Sequence, residues 1–255
     1  MTETLAKVKS EFAVLFDGSF DGFLCVVHAF YRDKIVPVCI QTEREYQKAI
    51  GVEEYFVASD ESKSAEVIGA IRKKISENSA HYLYNAFLAD REERFMDMFR
   101  YALLGFRKGH LVDNLMQEDC VLRVHKLAKQ VGRETHLMCG FSRFAETKQG
   151  VYYCEITPKN NIAALLADHF SSRFMNHAWV IHDKTRKIAA IYDGCDYFVE
   201  SVPGDATFDF ADREEQMQGL WATFFSTIAI EERSTHKRQR QMLPLYFRGQ
   251  MTEFR

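Results

Sequence analysis

An acidic side chain and an imidazole stand two residues apart in the middle of the chain, at Glu134 and His136. The apolar pattern of residues 135–145 predicts a β-strand, and alternate residues of a strand project from the same face. A carboxylate beside an imidazole fixes the tautomer of the ring and raises its affinity for a proton, as general acid/base catalysis requires. The same spacing is equally typical of a structural polar pair at a sheet edge. The two residues are therefore candidates for catalysis, with a structural role as the alternative.

Five basic residues are candidates for contact with nucleic acid. Arg143 and Arg173 each stand beside phenylalanines, and a guanidinium group next to an aromatic ring suits phosphate contact or base stacking. Arg233, Lys237 and Arg240 follow one another at spacings of four and three, which places them on one face of a predicted C-terminal helix that could follow a phosphate backbone. Such residues also occur without a ligand, because arginine extends from core edges and cations compensate helix dipoles.

The sequence lacks the short motifs of several enzyme classes. It contains no P-loop, no dinucleotide-binding glycine fingerprint, no H-E-x-x-H zinc motif and no G-x-S-x-G nucleophile motif. The six cysteines form no C-x-x-C pair, which is typical of reduced thiols in a cytoplasmic protein. No Cys/His cluster has the spacing of metal ligands. We therefore expect neither a metal site nor a cofactor.

Composition and charge are those of a globular protein. The 255 residues are 47% hydrophobic and 27% charged. No apolar run approaches a membrane span and the first ten residues lack a signal-peptide core, so we expect a cytoplasmic protein that does not bind membranes. The formal net charge is −3, but acids dominate residues 41–93 whereas bases dominate residues 94–143 and 231–255. This asymmetry predicts a dipolar surface.

The elements that must position these residues predict an α+β fold. We expect a helical, partly β N-terminal half, and a C-terminal half in which helices pack on a mostly antiparallel sheet. In the first half, Ser19 is a predicted helix N-cap. The predicted strands of that half are 12–16, 36–40 and 55–58. Its predicted helices are 20–31, 42–50, 62–76 and 117–131, with one or two further helices over 80–106.

The second half is predicted to begin where the periodicity changes after Gly132. Its predicted strands are 135–145, 151–156, 179–182, 188–192 and 197–199, and its predicted helices are 162–174, 212–230 and 231–242. We expect a single unit over 1–255, with a subdivision into 1–116 and 117–255 as the alternative.

Several segments, taken in order, resemble one bacterial family named for DNA metabolism or repair. The segments are Asp17-Gly18-Ser19-Phe20-x-Gly22-Phe-Leu24; Glu134-x-His136-x-Met138-x-Gly140-Phe-x-Arg143-Phe144; Pro158 through His169-Phe170-x-x-Arg173-Phe174; Trp179-x-Ile181 with Asp183 and Arg186; Leu220-Trp221-x-x-Phe224-Phe225-x-x-Ile228; and Gln241-Met-x-Pro244-x-Tyr246. The resemblance covers nearly the whole chain. It carries over no catalytic residues.

The resemblance implies a DNA-related role beside a partner. Members of that family look to be encoded next to a radical-SAM protein of DNA modification or repair, and a similar domain occurs fused to uracil-DNA-glycosylase-like domains. This chain has no three-cysteine iron–sulfur motif, so the radical-SAM DNA-repair protein is expected as its partner. We therefore expect an accessory DNA-binding protein. The alternatives are an enzyme acting on damaged bases or strand ends through Glu134 and His136, and a partner-docking scaffold without DNA affinity.

Overall fold

The computed structural model describes residues 11–48, 51–203, 208–228, 243–249 and 251–254. The chain divides into two compact units, Met1–Val131 and Gly132–Arg255. Together they form an α+β protein, as the sequence predicts.

The first unit is built on a parallel three-stranded sheet in the order β2-β1-β3. Its strands are β1 (Glu11–Phe16), β2 (Val36–Thr42) and β3 (Glu53–Val57). The central strand β1 is almost continuously apolar because parallel sheets are covered on both faces, and Phe16 at its end is fully buried. Phe16 packs edge-on against Phe95, with ring centroids 4.9 Å apart.

Four helices and part of a fifth cover this sheet. They are α1 (Phe20–Arg32), α2 (Glu61–Lys74), α3 (Glu77–Leu88), α4 (Arg94–Lys108) and the first part of α5 (Asp119–Phe141), with a 3-10 turn at Gly109–Asn114. The Ser19 hydroxyl accepts the Gly22 backbone amide at 2.9 Å, which confirms the predicted N-cap of α1. Gly22 has no room for a side chain, because a Cβ there would lie 2.3 Å from the Asp17 Oδ1.

The helix predicted over 42–50 is wrong in the part that the structure describes. Strand β2 continues to Thr42, which pairs with Phe16 of β1. The Glu43 amide then donates to the Phe16 carbonyl at 3.0 Å, and the Thr42 carbonyl accepts the Glu45 and Tyr46 amides to close a turn. Pairing with the buried strand therefore prevails over the capping pattern at Thr42.

The second unit contains a five-stranded sheet in the order β4-β5-β6-β7-β8. Its strands are β4 (Ala145–Glu146), β5 (Tyr152–Ile156), β6 (Trp179–Asp183), β7 (Ile188–Tyr192) and β8 (Tyr197–Ser201). Every neighbouring pair is antiparallel except β5 and β6, which are parallel and are joined by α6 (Ala163–Arg173). The mostly antiparallel C-terminal sheet is thus confirmed.

Aromatic side chains fill the space beside this sheet. Trp179 is fully buried and stacks on Tyr192, with centroids 5.1 Å apart. Phe144 packs against both Phe170 and Phe174 of the α6 region. The remaining described elements are α7 (Glu214–Ile228), the short α8 (Leu245–Arg248) and a 3-10 turn at Thr252–Phe254. At the β7–β8 turn, the Asp193 carboxylate accepts the amides of Cys195 and Asp196.

The strand predicted over 135–145 is wrong, because α5 continues to Phe141. Val131, Glu134 and Met138 are buried at spacings of three and four, which is the period of a helix packed on one face. Gly132 and Gly140 lie on the exposed side, where a helix tolerates glycine at a modest cost. The apparent change of period after Gly132 therefore does not mark a change of element.

The predicted C-terminal helix over 231–242 lies outside the described residues. No helix in the described ranges is long and apolar enough to cross a membrane.

Candidate nucleic-acid interface

Glu134 and His136 do not face the same environment. Because they lie on α5, their side chains are separated by roughly 200° around the helix axis. Glu134 is only 5% exposed, whereas His136 is exposed. The strand geometry that suggested an acid/base pair is therefore absent.

The Glu134 carboxylate instead holds the loop that follows β5. Its Oε1 accepts the Lys159 backbone amide at 2.8 Å, and its Oε2 accepts the Asn160 backbone amide at 3.0 Å. The Asn160 side-chain amide also donates to Oε2 at 2.6 Å. All of these donors are buried or partly buried, so the carboxylate satisfies groups that water reaches poorly. Glu134 thus fixes the backbone of residues 159 and 160.

Arg186 fixes the same loop from the β6–β7 hairpin. Its guanidinium donates to the Pro158 carbonyl at 3.1 Å and to the Lys159 carbonyl. The same group pairs with the fully buried carboxylate of Asp183 at 3.1 Å. Asp183 in turn accepts the backbone amides of Thr185 and Arg186, which closes the hairpin. The Glu134 carboxylate therefore holds the backbone amides of this loop, and the Arg186 guanidinium holds its backbone carbonyls.

This anchoring leaves the Lys159 side chain exposed beside an aromatic ring. Its Nζ lies 5.0 Å from the centroid of the Tyr246 ring, within the range of a cation–π contact. The Tyr246 side chain also contacts Glu134, since its hydroxyl donates to the Glu134 Oε1 at 3.5 Å. Burial, with the nearby Glu134 carboxylate, raises the pKa of Tyr246 to about 12, while Arg133 acts in the opposite direction. We call the exposed side chains of Arg133, Lys159 and Tyr246 the Lys159 surface.

The Lys159 surface carries two exposed cations beside one buried carboxylate, Glu134. Arg133 and Lys159 are exposed, and neither forms an ion pair with a carboxylate among the described residues. The buried Glu134 carboxylate is held by uncharged amides and offsets one of these charges, and Asp183 is paired with Arg186, so a net single positive charge remains. Two cations and a partly exposed ring can contact phosphates and stack on a base.

Arg143, in contrast, is engaged by a carboxylate. Its guanidinium meets Glu253 at 2.6 and 3.3 Å, and it also donates to the Gly140 and Ser142 carbonyls. The Glu253 side chain is only 2% exposed and also accepts the Trp221 indole N–H at 3.1 Å. The Arg143 charge is therefore balanced before any ligand arrives.

The cleft beside Arg143 has a volume of about 470 Å³ and is balanced in charge. Arg213 lines it but pairs with Glu146, as Arg143 pairs with Glu253. The exposed ring of Trp221 lies under Arg143, with the guanidinium carbon 5.6 Å from the ring centroid. This cleft has aromatic character without surplus positive charge.

The other predicted cations are not brought together by the described residues. Arg173 is exposed in the last turn of α6, where a cation also complements the helix dipole. The predicted candidates Arg233, Lys237 and Arg240 lie outside the described residues, so their convergence with Arg143 or Arg173 stays a prediction.

Lys159 and Arg133 were missed at the sequence level because neither belongs to a periodic pattern. Pro158 and Tyr246 stand in the segments of the family resemblance, and they mark the loop and the helix that meet here. In the sequence, Lys159 could have been noticed as a basic residue between Pro158 and Asn160, two residue types that are common in loops.

His182 was also missed. It is fully buried on β6, and its Nδ1 lies 2.9 Å from the Tyr153 hydroxyl. Its Nε2 has no hydrogen-bond partner among the described residues. Burial, aided by Lys184, lowers the pKa of His182, so the neutral ring is favoured.

The described residues contain no group of three or more His, Cys, Asp or Glu side chains placed to hold a metal ion. Residues 92–253 match a family model described as a domain of unknown function, DUF4130. A search of curated proteins gives no match.

Proposed function

The chain belongs to the DUF4130 family, a domain of unknown function. We propose that it is an accessory DNA-binding protein that contacts the nucleic acid through the Lys159 surface. The observation that carries this proposal is the exposed Lys159 ammonium, held 5.0 Å from the Tyr246 ring and without an ion-paired carboxylate in the part of the chain that the structure describes. Cations contribute affinity through phosphates, and the ring adds base stacking that tolerates any sequence.

The rigidity of the loop supports a binding role. Glu134 holds its backbone amides and Arg186 holds its carbonyls, so little backbone freedom remains to be lost when a ligand binds. Both anchoring groups are positioning residues in this proposal, and neither touches the DNA.

Salt-titrated binding of single- and double-stranded DNA tests the proposal. We expect Lys159→Glu and Arg133→Glu to weaken binding of every sequence, and each lost phosphate contact to reduce the slope of log K against log salt by about 0.7–0.9. Lys148→Glu is the matched control, because Lys148 is an exposed lysine at the opposite end of β5. No binding by the unaltered protein at low salt, or equal loss in the control, would contradict the proposal.

The same assay separates the remaining cations. We propose that Arg173, Arg233, Lys237 and Arg240 also bind nucleic acid, as their sequence context suggests. Charge reversal of Lys237 and Arg240 together should then lower affinity beyond the Lys159→Glu effect. Arg143→Gln should have a small effect on affinity by comparison, because its charge is already balanced by Glu253.

The radical-SAM partner of the proposal is supported by the sequence resemblance. Co-expression of the two proteins, followed by affinity purification of this chain, should recover the partner in a fixed ratio. Adding the partner should also tighten DNA binding if the two act on one substrate. If the partner is not recovered and DNA binding is not tightened, the partner is removed from the proposal. DNA binding is then judged by the salt titration alone.

A docking scaffold is the second candidate, and an apolar stripe on α7 favours it. Met217, Leu220, Trp221 and Phe224 are 57%, 58%, 42% and 53% exposed, and their spacing places them along one side of the helix. Leu220→Lys should abolish recovery of the partner without changing DNA affinity if α7 is the docking face. The opposite result, lost DNA affinity with retained partner, would reject this assignment.

The enzyme alternative has no support from the geometry of its candidate residues. Glu134 is buried and holds three nitrogen donors, while His136 is exposed on another side of α5. A proton-transfer role would require an open cleft that both side chains share.

A further inference from the structure

An open groove of about 510 Å³ lies in the first unit between α1, α2 and α4. Its volume is in the range of small-molecule sites, which are about 300–1,000 Å³. All of its lining residues belong to the first unit, whereas the residues of the Lys159 surface belong to the second. Nothing in the proposed DNA-binding role uses it.

The floor of the groove is apolar and aromatic. Val27 and Val67 are buried at its base, and Ala70 is half-buried beside them. Tyr31 is 41% exposed and meets Phe106 edge to face, with centroids 5.6 Å apart. A flat ring can therefore be buried against the aliphatic floor and stack on the open part of Tyr31.

One end of the groove is cationic. Arg32, Lys74 and Arg107 come from the last turns of three different helices, and all three line the groove. Their side chains are exposed, and none forms an ion pair among the described residues. Cations in last turns compensate helix dipoles. Their convergence from three helices onto one opening also creates a site for an anion.

The other end offers a hydrogen-bond acceptor. Glu66 lies 3.8 Å from the Nε2 of His28, and both line the groove. The Glu66 side chain is 64% exposed, so its carboxylate can accept from an amino group. At a helical rise of 1.5 Å per residue, the distance along the helix axis is about 6 Å from His28 to Arg32 and about 12 Å from Glu66 to Lys74. A base, a sugar and a phosphate arranged in line can bridge that separation.

We propose that this groove binds a nucleoside 5′-monophosphate, with its base against Tyr31 and the apolar floor and its phosphate at Arg32, Lys74 and Arg107. A base that carries an exocyclic amine, such as adenine, cytosine or guanine, donates to Glu66, whereas uracil has no such group. The same chemistry is offered by a free nucleotide and by the 5′-phosphorylated end of a strand. Inorganic phosphate lacks the ring, and a nucleoside lacks the anion, so each makes only half of the contacts.

Isothermal titration of the full chain tests the proposal. AMP and CMP should bind saturably and at least tenfold more tightly than adenosine, cytidine or inorganic phosphate. CMP should also bind more tightly than UMP, and Glu66→Ala should remove that preference. Equal affinity for AMP and inorganic phosphate, or no saturable nucleotide binding, would overturn the proposal.

Variants locate the site without relying on charge alone. Ala70→Leu fills the groove, and we expect it to reduce AMP affinity at least tenfold. Ala65→Leu is the matched control, because Ala65 is exposed on the same helix and does not line the groove. Circular dichroism establishes that both variants are folded. Unchanged AMP binding in folded Ala70→Leu would refute this location.

A 5′-phosphorylated oligonucleotide and its 5′-hydroxyl counterpart distinguish the two sources of the nucleotide. They are compared in the Lys159→Glu variant, so that binding at the proposed DNA surface is reduced. A gain from the 5′-phosphate that Ala70→Leu abolishes identifies a strand end as a ligand. Binding of AMP without any such gain identifies the free nucleotide, and loss of AMP binding in Lys159→Glu would contradict an independent groove.

Discussion

Glu134 shows how the role of a residue depends on the element that carries it. On a strand it would share a face with His136, but on α5 it points into the protein and accepts the amides of Lys159 and Asn160. The sequence made Glu134 a candidate for catalysis with a structural role as the alternative, whereas its hydrogen-bond partners lie 25 and 26 positions away. Pairwise spacing along a chain cannot identify such long-range partners.

We expect Glu134→Ala to destabilise the second unit by about 2–3 kcal/mol, because it leaves two backbone amides and a side-chain amide without their acceptor. Glu134→Gln keeps an acceptor oxygen and should cost less. Urea unfolding followed by circular dichroism gives both values. Under conditions in which the Glu134→Ala variant is folded, its DNA affinity should be lower than that of the unaltered protein, because the Lys159 loop is no longer held. A fall in stability with unchanged affinity would separate the loop from binding.

The Arg143–Glu253 pair predicts an acid-sensitive contribution to stability. Burial by itself raises the pKa of Glu253, but hydrogen bonds from Arg143, the backbone and Trp221 outweigh it and hold the pKa below its ordinary value. A carboxyl with a lowered folded pKa stabilises the protein above its unfolded pKa, and that stabilisation is lost as pH falls through the folded value. Glu253→Gln should therefore cost stability at pH 7 and progressively less below about pH 4.

Denaturant unfolding at several pH values measures this effect. Arg143→Ala should cost about 2–3 kcal/mol at pH 7, because it leaves a buried carboxylate without its cation. A Glu253→Gln cost that stays constant from pH 7 to pH 3 would contradict the linkage.

At the scale of elements, most of the fold could be predicted and the main error has a clear cause. The helices with one strong apolar face and a polar cap, such as α1 after Ser19, form where the pattern predicts. The error at α5 arose because the change of apolar period after Gly132 was interpreted as the end of a helix and the start of a strand. Gly132 and Gly140 lie on the exposed face of a continuous helix, and glycine on that face has no structural requirement.

Gly132→Ala and Gly140→Ala should each stabilise the protein by about 0.5–1 kcal/mol. Neither position has an atom within 4 Å of an added Cβ, so the substitution meets no clash. Alanine also lowers the entropy of the unfolded chain and favours the helix. Thermal unfolding measures the gain. A loss of stability at either position would contradict the open space around these glycines.

At the scale of the whole molecule, the DUF4130 match and the two compact units have different boundaries. The match begins at residue 92, inside the first unit, and includes α4. Phe95, Met98 and Phe99 of α4 are buried in the core that α1 and β1 complete. The α+β class and the mostly antiparallel second sheet followed from the apolar patterns, but this division depends on contacts distant in sequence.

A chain truncated to residues 92–255 should therefore expose the apolar face of α4. We expect it to be less soluble than the full chain and to bind a hydrophobic dye, because roughly 1.5–3 kcal/mol is lost for each large apolar side chain returned to water. A second truncation, 132–255, keeps only the second unit and removes both α4 and the part of α5 that packs in the first core, so it is the matched control. Equal solubility of the two shortened chains would show that α4 does not need the first sheet.

The unequal burial of the six thiols makes the turn between β7 and β8 a natural attachment point for a spectroscopic probe. Cys195 is exposed there, while the other five cysteines are buried or half-buried. Complete burial raises the pKa of Cys154 to about 12, and burial also raises the pKa of Cys25, Cys39, Cys120 and Cys139. Since the thiolate is the reactive form, a maleimide fluorophore should attach to native protein at one position, and mass spectrometry after digestion would locate it. The unmutated molecule can thus carry a reporter for anisotropy measurements of DNA and partner binding.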